Sequence, residues 1–85
     1  MKLQTTSRFD RDYARLPRTI RARADKQLAL FLSNPRHQSL RIEKMEGYKD
    51  IWKGRITRDY RFTFSRIEDI CILRRIGTHE IYRNP

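Results

Sequence analysis

The hydropathy pattern predicts an α+β fold in which an N-terminal strand and a two-helix hairpin precede a small antiparallel sheet, in the order βααβββ. Three observations carry it. From Phe9 to Leu32 apolar residues recur at helical spacing, and between Trp52 and Phe64 they switch to strict alternation. Residues 70–76, ICILRRI, then begin as a run that is apolar on both faces, the mark of an interior strand. Helices that precede the strands gather on one face of the sheet and leave the other face open.

The elements follow in order. Residues 2–6, with Leu3 as the clear apolar position, read as an edge or pairing strand. Ser7 suits an N-cap, and Asp10 imitates a capping box near the positive helix end. Phe9, Tyr13 and Leu16 then face the core until Pro17 interrupts the helix. Arg8, Arg11 and Arg15 line another face, which fits either a solvated surface or a contact with an RNA backbone. A second helix is expected from about residue 18 to 33, with Ile20, Ala24, Leu28, Phe31 and Leu32 as its apolar stripe. Asn34 and Pro35 end it. Residues 35–39 form a loop, and residues 40–47, LRIEKMEG, form an irregular connection with at most a little strand.

The stretch 51–64, IWKGRITRDYRFTF, reads as a hairpin with one apolar and one cationic face. With Thr57, Arg58 and Asp59 as its loop, Trp52 lies opposite Phe64, Ile56 opposite Tyr60, and Arg55 opposite Arg61. Like charges directly across a strand pair are destabilising. Lys53, Arg55 and Arg61 on one face therefore suggest an anion, most naturally a phosphate, as their working partner.

Composition narrows the function. The chain has 85 residues and is expected to form a single domain over residues 1–85, burying only about 60% of its unfolded surface. Twenty basic residues against ten acidic ones give a formal charge of +10, which favours a polyanionic partner such as nucleic acid, or an acidic protein. The single cysteine, Cys71, leaves no internal disulfide, and no zinc-type spacing is present. No signal-peptide pattern or membrane-length apolar run occurs, so the cytoplasm is the expected compartment and no membrane partner is expected.

Reactive groups are few. No phosphate-binding glycine loop, metalloprotease motif or magnesium-binding acidic cluster is present, so no metal or cofactor is expected. His79, Tyr82 and Arg83 follow the last strand. A histidine, a tyrosine and several cations on one face are the parts that RNA transesterification needs: a proton leaves the ribose 2′-OH, the phosphorane is neutralised and the 5′-oxygen receives a proton. DNA lacks the 2′-OH. Tyr82 fits a packing role as well as a base-stacking one. His37 reads as a solvent-exposed loop residue and Glu46 as a turn residue held in reserve as a general base.

Four segments together resemble the RelE/ParE superfamily of toxins from toxin–antitoxin modules: F-D-R-D-Y-A-R-L-P at residues 9–17, the N-P after the second helix, W-K-G-R-I-T-R-D-Y-R-F-T-F at 52–64 and R-R-I-G-T-H-E-I-Y-R at 74–83. The resemblance covers essentially the whole chain. It implies a RelE-like microbial RNase fold and, in the RelE branch, a metal-free mRNA endonuclease acting in the ribosomal A site. It also implies a cognate antitoxin that blocks the site, and contacts to ribosomal RNA through the basic helix faces. Carried over by position, Lys53 and Arg55 look like the basic pair that meets the substrate phosphates and helps to activate the 2′-OH. Arg61 looks like the arginine that stabilises the transition-state phosphate, His79 like a general acid or phosphate ligand, and Tyr82 like the tail tyrosine that orients a base. Arg58 and Arg83 are further candidates for RNA contact. The ParE branch, which acts without catalysis, typically lacks the histidine and tyrosine of HEIYR.

Overall fold

The computed structural model describes residues 1–85. Its elements are β1 (Lys2–Thr5), α1 (Ser7–Ala14), α2 (Arg18–Ser33), a 3-10 turn (Gln38–Leu40), β2 (Glu43–Lys44), β3 (Trp52–Arg55), β4 (Tyr60–Ile67), β5 (Ile70–Thr78) and a tail 3-10 helix (His79–Arg83). The five strands form one sheet in the order β1-β5-β4-β3-β2. The expected α+β architecture is present, but the sheet is mixed. Strand β1 runs parallel to β5, with Lys2 beside Ile70 and Thr5 beside Leu73. The two helices carry the chain from β1 over one face of the sheet to its far edge, and β5 returns beside β1 in the same direction.

Helix α1 begins one residue earlier than the capping pattern suggested. Thr6, not Ser7, is the N-cap: its hydroxyl accepts from the Phe9 amide at 3.1 Å and donates to the Arg74 carbonyl at 3.0 Å, joining helix and sheet. Phe9 and Leu16 are buried, and Tyr13 packs beside them. Asp12 fastens the other end of α1. Where β1 no longer covers the edge of β5, Asp12 Oδ2 accepts from the Ile76 amide at 3.2 Å and from Arg75 Nε at 2.6 Å.

On α2, Ala24 and Phe31 are buried and Ile20, Leu28 and Leu30 pack against the core. Leu32 does not belong to this stripe. It is 48% exposed, because the position after Phe31 is rotated by about 100° and turns away from the sheet. The Phe31 ring lies 5.4 Å from Phe62 and 4.9 Å from Phe64, so one aromatic cluster holds α2 to β4.

A bulge lets β5 serve two alignments. Thr63 faces Arg75 but Phe64 faces Leu73, leaving Arg74 as the extra residue. Leu73 and Ile76 are thereby both buried, although strict alternation would put them on opposite faces. The face away from the helices, expected to be open, is partly covered by the tail. Ile81 is buried there, and the fully buried Thr63 donates its hydroxyl proton to the Pro85 carbonyl at 3.0 Å.

Cys71 has no exposed surface, and burial pushes its thiol up to about 11. The reactive thiolate is thus scarce at neutral pH. Iodoacetamide at pH 8 is expected to leave native Cys71 unmodified, with alkylation tracking urea unfolding in mass spectra; rapid labelling without denaturant would contradict this packing.

Candidate active site

The hairpin adopts the register read from its sequence: Trp52 pairs with Phe64, Gly54 with Phe62 and Arg55 with Arg61. The Ile56 amide donates to the Tyr60 carbonyl at 2.9 Å and closes the turn. Gly54 pins this register. Phe62 lies across β3 so closely that a Cβ at position 54 would stand 2.4 Å from its Cζ. With apolar side chains on the helix side, the odd positions Lys53, Arg55 and Arg61 project to the other face, toward the tail.

There they line a cavity of about 280 Å³ together with Arg41, Glu43, His79 and Tyr82. Arg61 Nη1 donates to the carbonyls of Thr57 and, at 3.4 Å, Tyr60. The turn therefore holds one arm of the guanidinium and leaves Nε and Nη2 for a bidentate contact with an anion. Lys53 Nζ is 2.9 Å from Glu43 Oε1 and 5.2 Å from the centre of the Tyr82 ring, a salt bridge and a cation–π contact at once. The His79 ring meets Tyr82 edge-on, with centroids 5.6 Å apart. Burial raises the Tyr82 pKa above its ordinary value against the opposing pull of Arg61 and Lys53, so the hydroxyl stays protonated at neutral and mildly alkaline pH. Tyr82 is thus a hydrogen-bond donor and a ring surface, not a base.

The remaining predicted site residues lie elsewhere. Arg58 is exposed at the hairpin tip and lines a larger neighbouring groove. Arg83 is exposed and faces a separate hollow with Asp12 and Arg15. Glu46 is exposed in the turn after β2 and lines none of these cavities; the carboxylate that lines the cavity is Glu43. The signal for Glu43 was the alternation of Ile42 and Glu43 opposite Lys53, an ion pair across two strands that places the carboxylate in the cavity. Arg41 had no comparable signal. It takes a left-handed backbone, φ 47°, that caps the 3-10 turn. No three His, Cys, Asp or Glu side chains are grouped as a metal site, and no helix is long and apolar enough to cross a membrane.

No protein-family model matches the chain, and no curated protein matches it in sequence. Solved structures do match in shape. YafQ from E. coli strain BL21(DE3) superposes with a TM-score of 0.75 at 12% identity, covering 95% of this chain and 96% of its own. RelE in the RelB-RelE antitoxin-toxin complex from Methanococcus jannaschii gives 0.76 at 21% identity, covering 94% of each. The YoeB/ParE toxin from Agrobacterium tumefaciens gives 0.74 at 21% identity, covering 93% of this chain and 99% of its own. At these identities the likeness is one of fold: the chain has the RelE-like α+β fold of these toxin structures from end to end.

Proposed function

We propose that this chain is the toxin of a toxin–antitoxin pair and a ribosome-dependent endoribonuclease that cuts mRNA in the A site. The observation that carries the reading is the convergence of Lys53, Arg55, Arg61, His79 and Tyr82 on one small cavity of a RelE-like fold. In the reaction Glu43 takes the proton from the 2′-OH, and Lys53, its ion-pair partner, steadies the oxyanion that forms. The 2′-oxygen attacks the adjacent phosphorus, and Arg61 with Arg55 stabilises the phosphorane through charge-assisted hydrogen bonds. His79 gives a proton to the departing 5′-oxygen, while the Tyr82 ring supports and orients a base. The products are a 2′,3′-cyclic phosphate and a 5′-hydroxyl.

The decisive experiment adds the protein to translating ribosomes and maps mRNA ends. Cuts carrying those end groups support the reading; intact mRNA with damaged DNA replaces it with the gyrase poisoning of ParE-like proteins, and intact RNA with salt-sensitive binding leaves a basic binding module. The two carboxylates give a sharper check. Glu43→Gln is expected to slow single-turnover cleavage by about 10²-fold, the usual scale for a general base, whereas Glu46→Gln stays near the parent rate. The reverse order would return the role to Glu46.

The partners proposed with this activity are the ribosomal A site, ribosomal RNA along the basic helix faces, and an antitoxin, since structures of the same fold include the DinJ-YafQ and RelBE toxin-antitoxin complexes. A charge of +10 favours an antitoxin with an acidic segment that folds over the cavity. The cytoplasm is the compartment in which such partners meet.

A further inference from the structure

The largest concavity in the molecule is not the cavity just described. It is a groove of about 1000 Å³ that adjoins it, the two sharing Arg41, Glu43 and Arg55 as common lining. Helix α2 supplies one wall through Arg23 and Gln27, the β3–β4 turn another through Arg55 and Arg58, and the 3-10 turn the third through His37. Its shape is fixed by hydrogen bonds. Gln27 Nε2 donates to the Arg55 carbonyl at 3.2 Å and ties α2 to the end of β3. His37 Nδ1 accepts from the Ser39 amide at 3.2 Å and lies 2.8 Å from the Ser39 hydroxyl, which holds the ring at the groove wall.

The groove is cationic and uncompensated. None of Arg23, Arg41, Arg55 and Arg58 takes part in an ion pair, while Glu43, the one acid in the lining, is engaged by Lys53. Few apolar side chains line it, so it does not suit an amphipathic helix. Arg41 stands where the groove meets the cavity, in a left-handed backbone that is unfavourable for an L-residue. Strain of that kind is characteristic of ligand clamps.

We propose that this groove is a second subsite for nucleic-acid backbone, so that the RNA strand held at Arg61 continues past Arg41 and Arg55 and lays further phosphates against Arg23 and Arg58. The inference rests on the RNA reading of the cleavage cavity and deepens it. Phosphate contacts position a strand without reading its bases. The groove therefore supplies affinity and direction, while the 2′-OH is recognised only in the cavity.

The test measures binding of RNA carrying a 2′-deoxy residue at the cleavage position, so that no cutting intervenes. A dinucleotide and a longer strand are compared on the parent protein and on the double variant Arg23→Ala/Arg58→Ala, both of whose positions are exposed. The longer strand is expected to bind more tightly than the dinucleotide. The double variant loses roughly tenfold more affinity for the longer strand than for the dinucleotide, and its salt dependence falls by about 0.7 for each arginine removed. Equal losses on both ligands would overturn the proposal, as would an unchanged salt slope with an unchanged melting temperature. So would a gain that appears only when a separate RNA is added, which would assign the groove to another molecule. The two readings fail separately. A length effect with no mRNA cut on translating ribosomes keeps the groove and removes the nuclease; cuts on ribosomes without a length effect do the reverse.

Discussion

Arg61→Ala is expected to reduce mRNA cleavage on programmed ribosomes by about 10²–10³-fold, the scale set by removing one preorganised donor from a developing oxyanion. The side chain is suited to that task because its Nη1 is spent on the turn carbonyls of Thr57 and Tyr60, so the rest of the guanidinium is already aimed when the phosphate arrives. Lysine has no second arm, and Arg61→Lys therefore recovers little. His79→Ala should cost about 10²–10⁴-fold for a different reason, the loss of the proton that the 5′-oxygen needs. A substrate with sulfur in place of the bridging 5′-oxygen separates the two. Thiolate leaves without protonation, so the sulfur substrate restores His79→Ala and leaves Arg61→Ala slow. Rescue of both variants, or of neither, would remove His79 from the role of acid. Arg61 is only half-buried and His79 is exposed, so melting temperatures should change little.

The sequence made the hairpin legible because its information is local. Alternation sets the faces, the loop residues set the register, and Arg55 and Arg61 meet as a consequence. What escaped depends on contacts between distant segments. Nothing in KLQT encodes a parallel partner; its direction follows from the path of two helices. The bulge at Arg74 could be suspected only from Leu73 and Ile76 being apolar three residues apart, and its reason is the shared burial of both beneath the helices. HEIYR read as a tail. It becomes a structural element because Ile81 buries against the sheet while His79 and Tyr82 stay at the cavity, and that division requires the 3-10 turn. Glu43 and Glu46 carry the same chemistry within four positions of each other, and the pairing of β2 with β3 is what puts Glu43 at the cavity. The cations of the site were thus visible as residue types on a strand, whereas its carboxylate and its outer arginines depended on the fold around them.

Gly54→Ala tests whether the register and the site depend on one close approach. A methyl at this position would lie 2.4 Å from Phe62 Cζ, 2.5 Å from Cε1 and 2.8 Å from Ile42 Cδ1, where carbon atoms settle at about 3.5–4.0 Å. The ring has nowhere to retreat: Phe62 is fully buried, with Phe31 and Phe64 packed against it at centroid distances of 5.4 and 5.9 Å. Overpacking of this kind costs about 1–3 kcal/mol, which for a domain of this length lowers the melting temperature by roughly 4–8 °C per kcal/mol. The adjacent pair is Arg55 with Arg61, so any shift of β3 away from Phe62 also spreads the cations. Cleavage by Gly54→Ala should accordingly fall further than its folded fraction, measured by circular dichroism at the assay temperature, can explain. Adding Phe62→Leu makes room for the methyl, and the double variant should be more stable than the sum of the two single changes, a coupling expected for groups in direct contact. Strict additivity, or a Gly54→Ala protein that melts with the parent, would mean that the ring does not hold the strand and that the facing arginines owe their alignment to the turn alone.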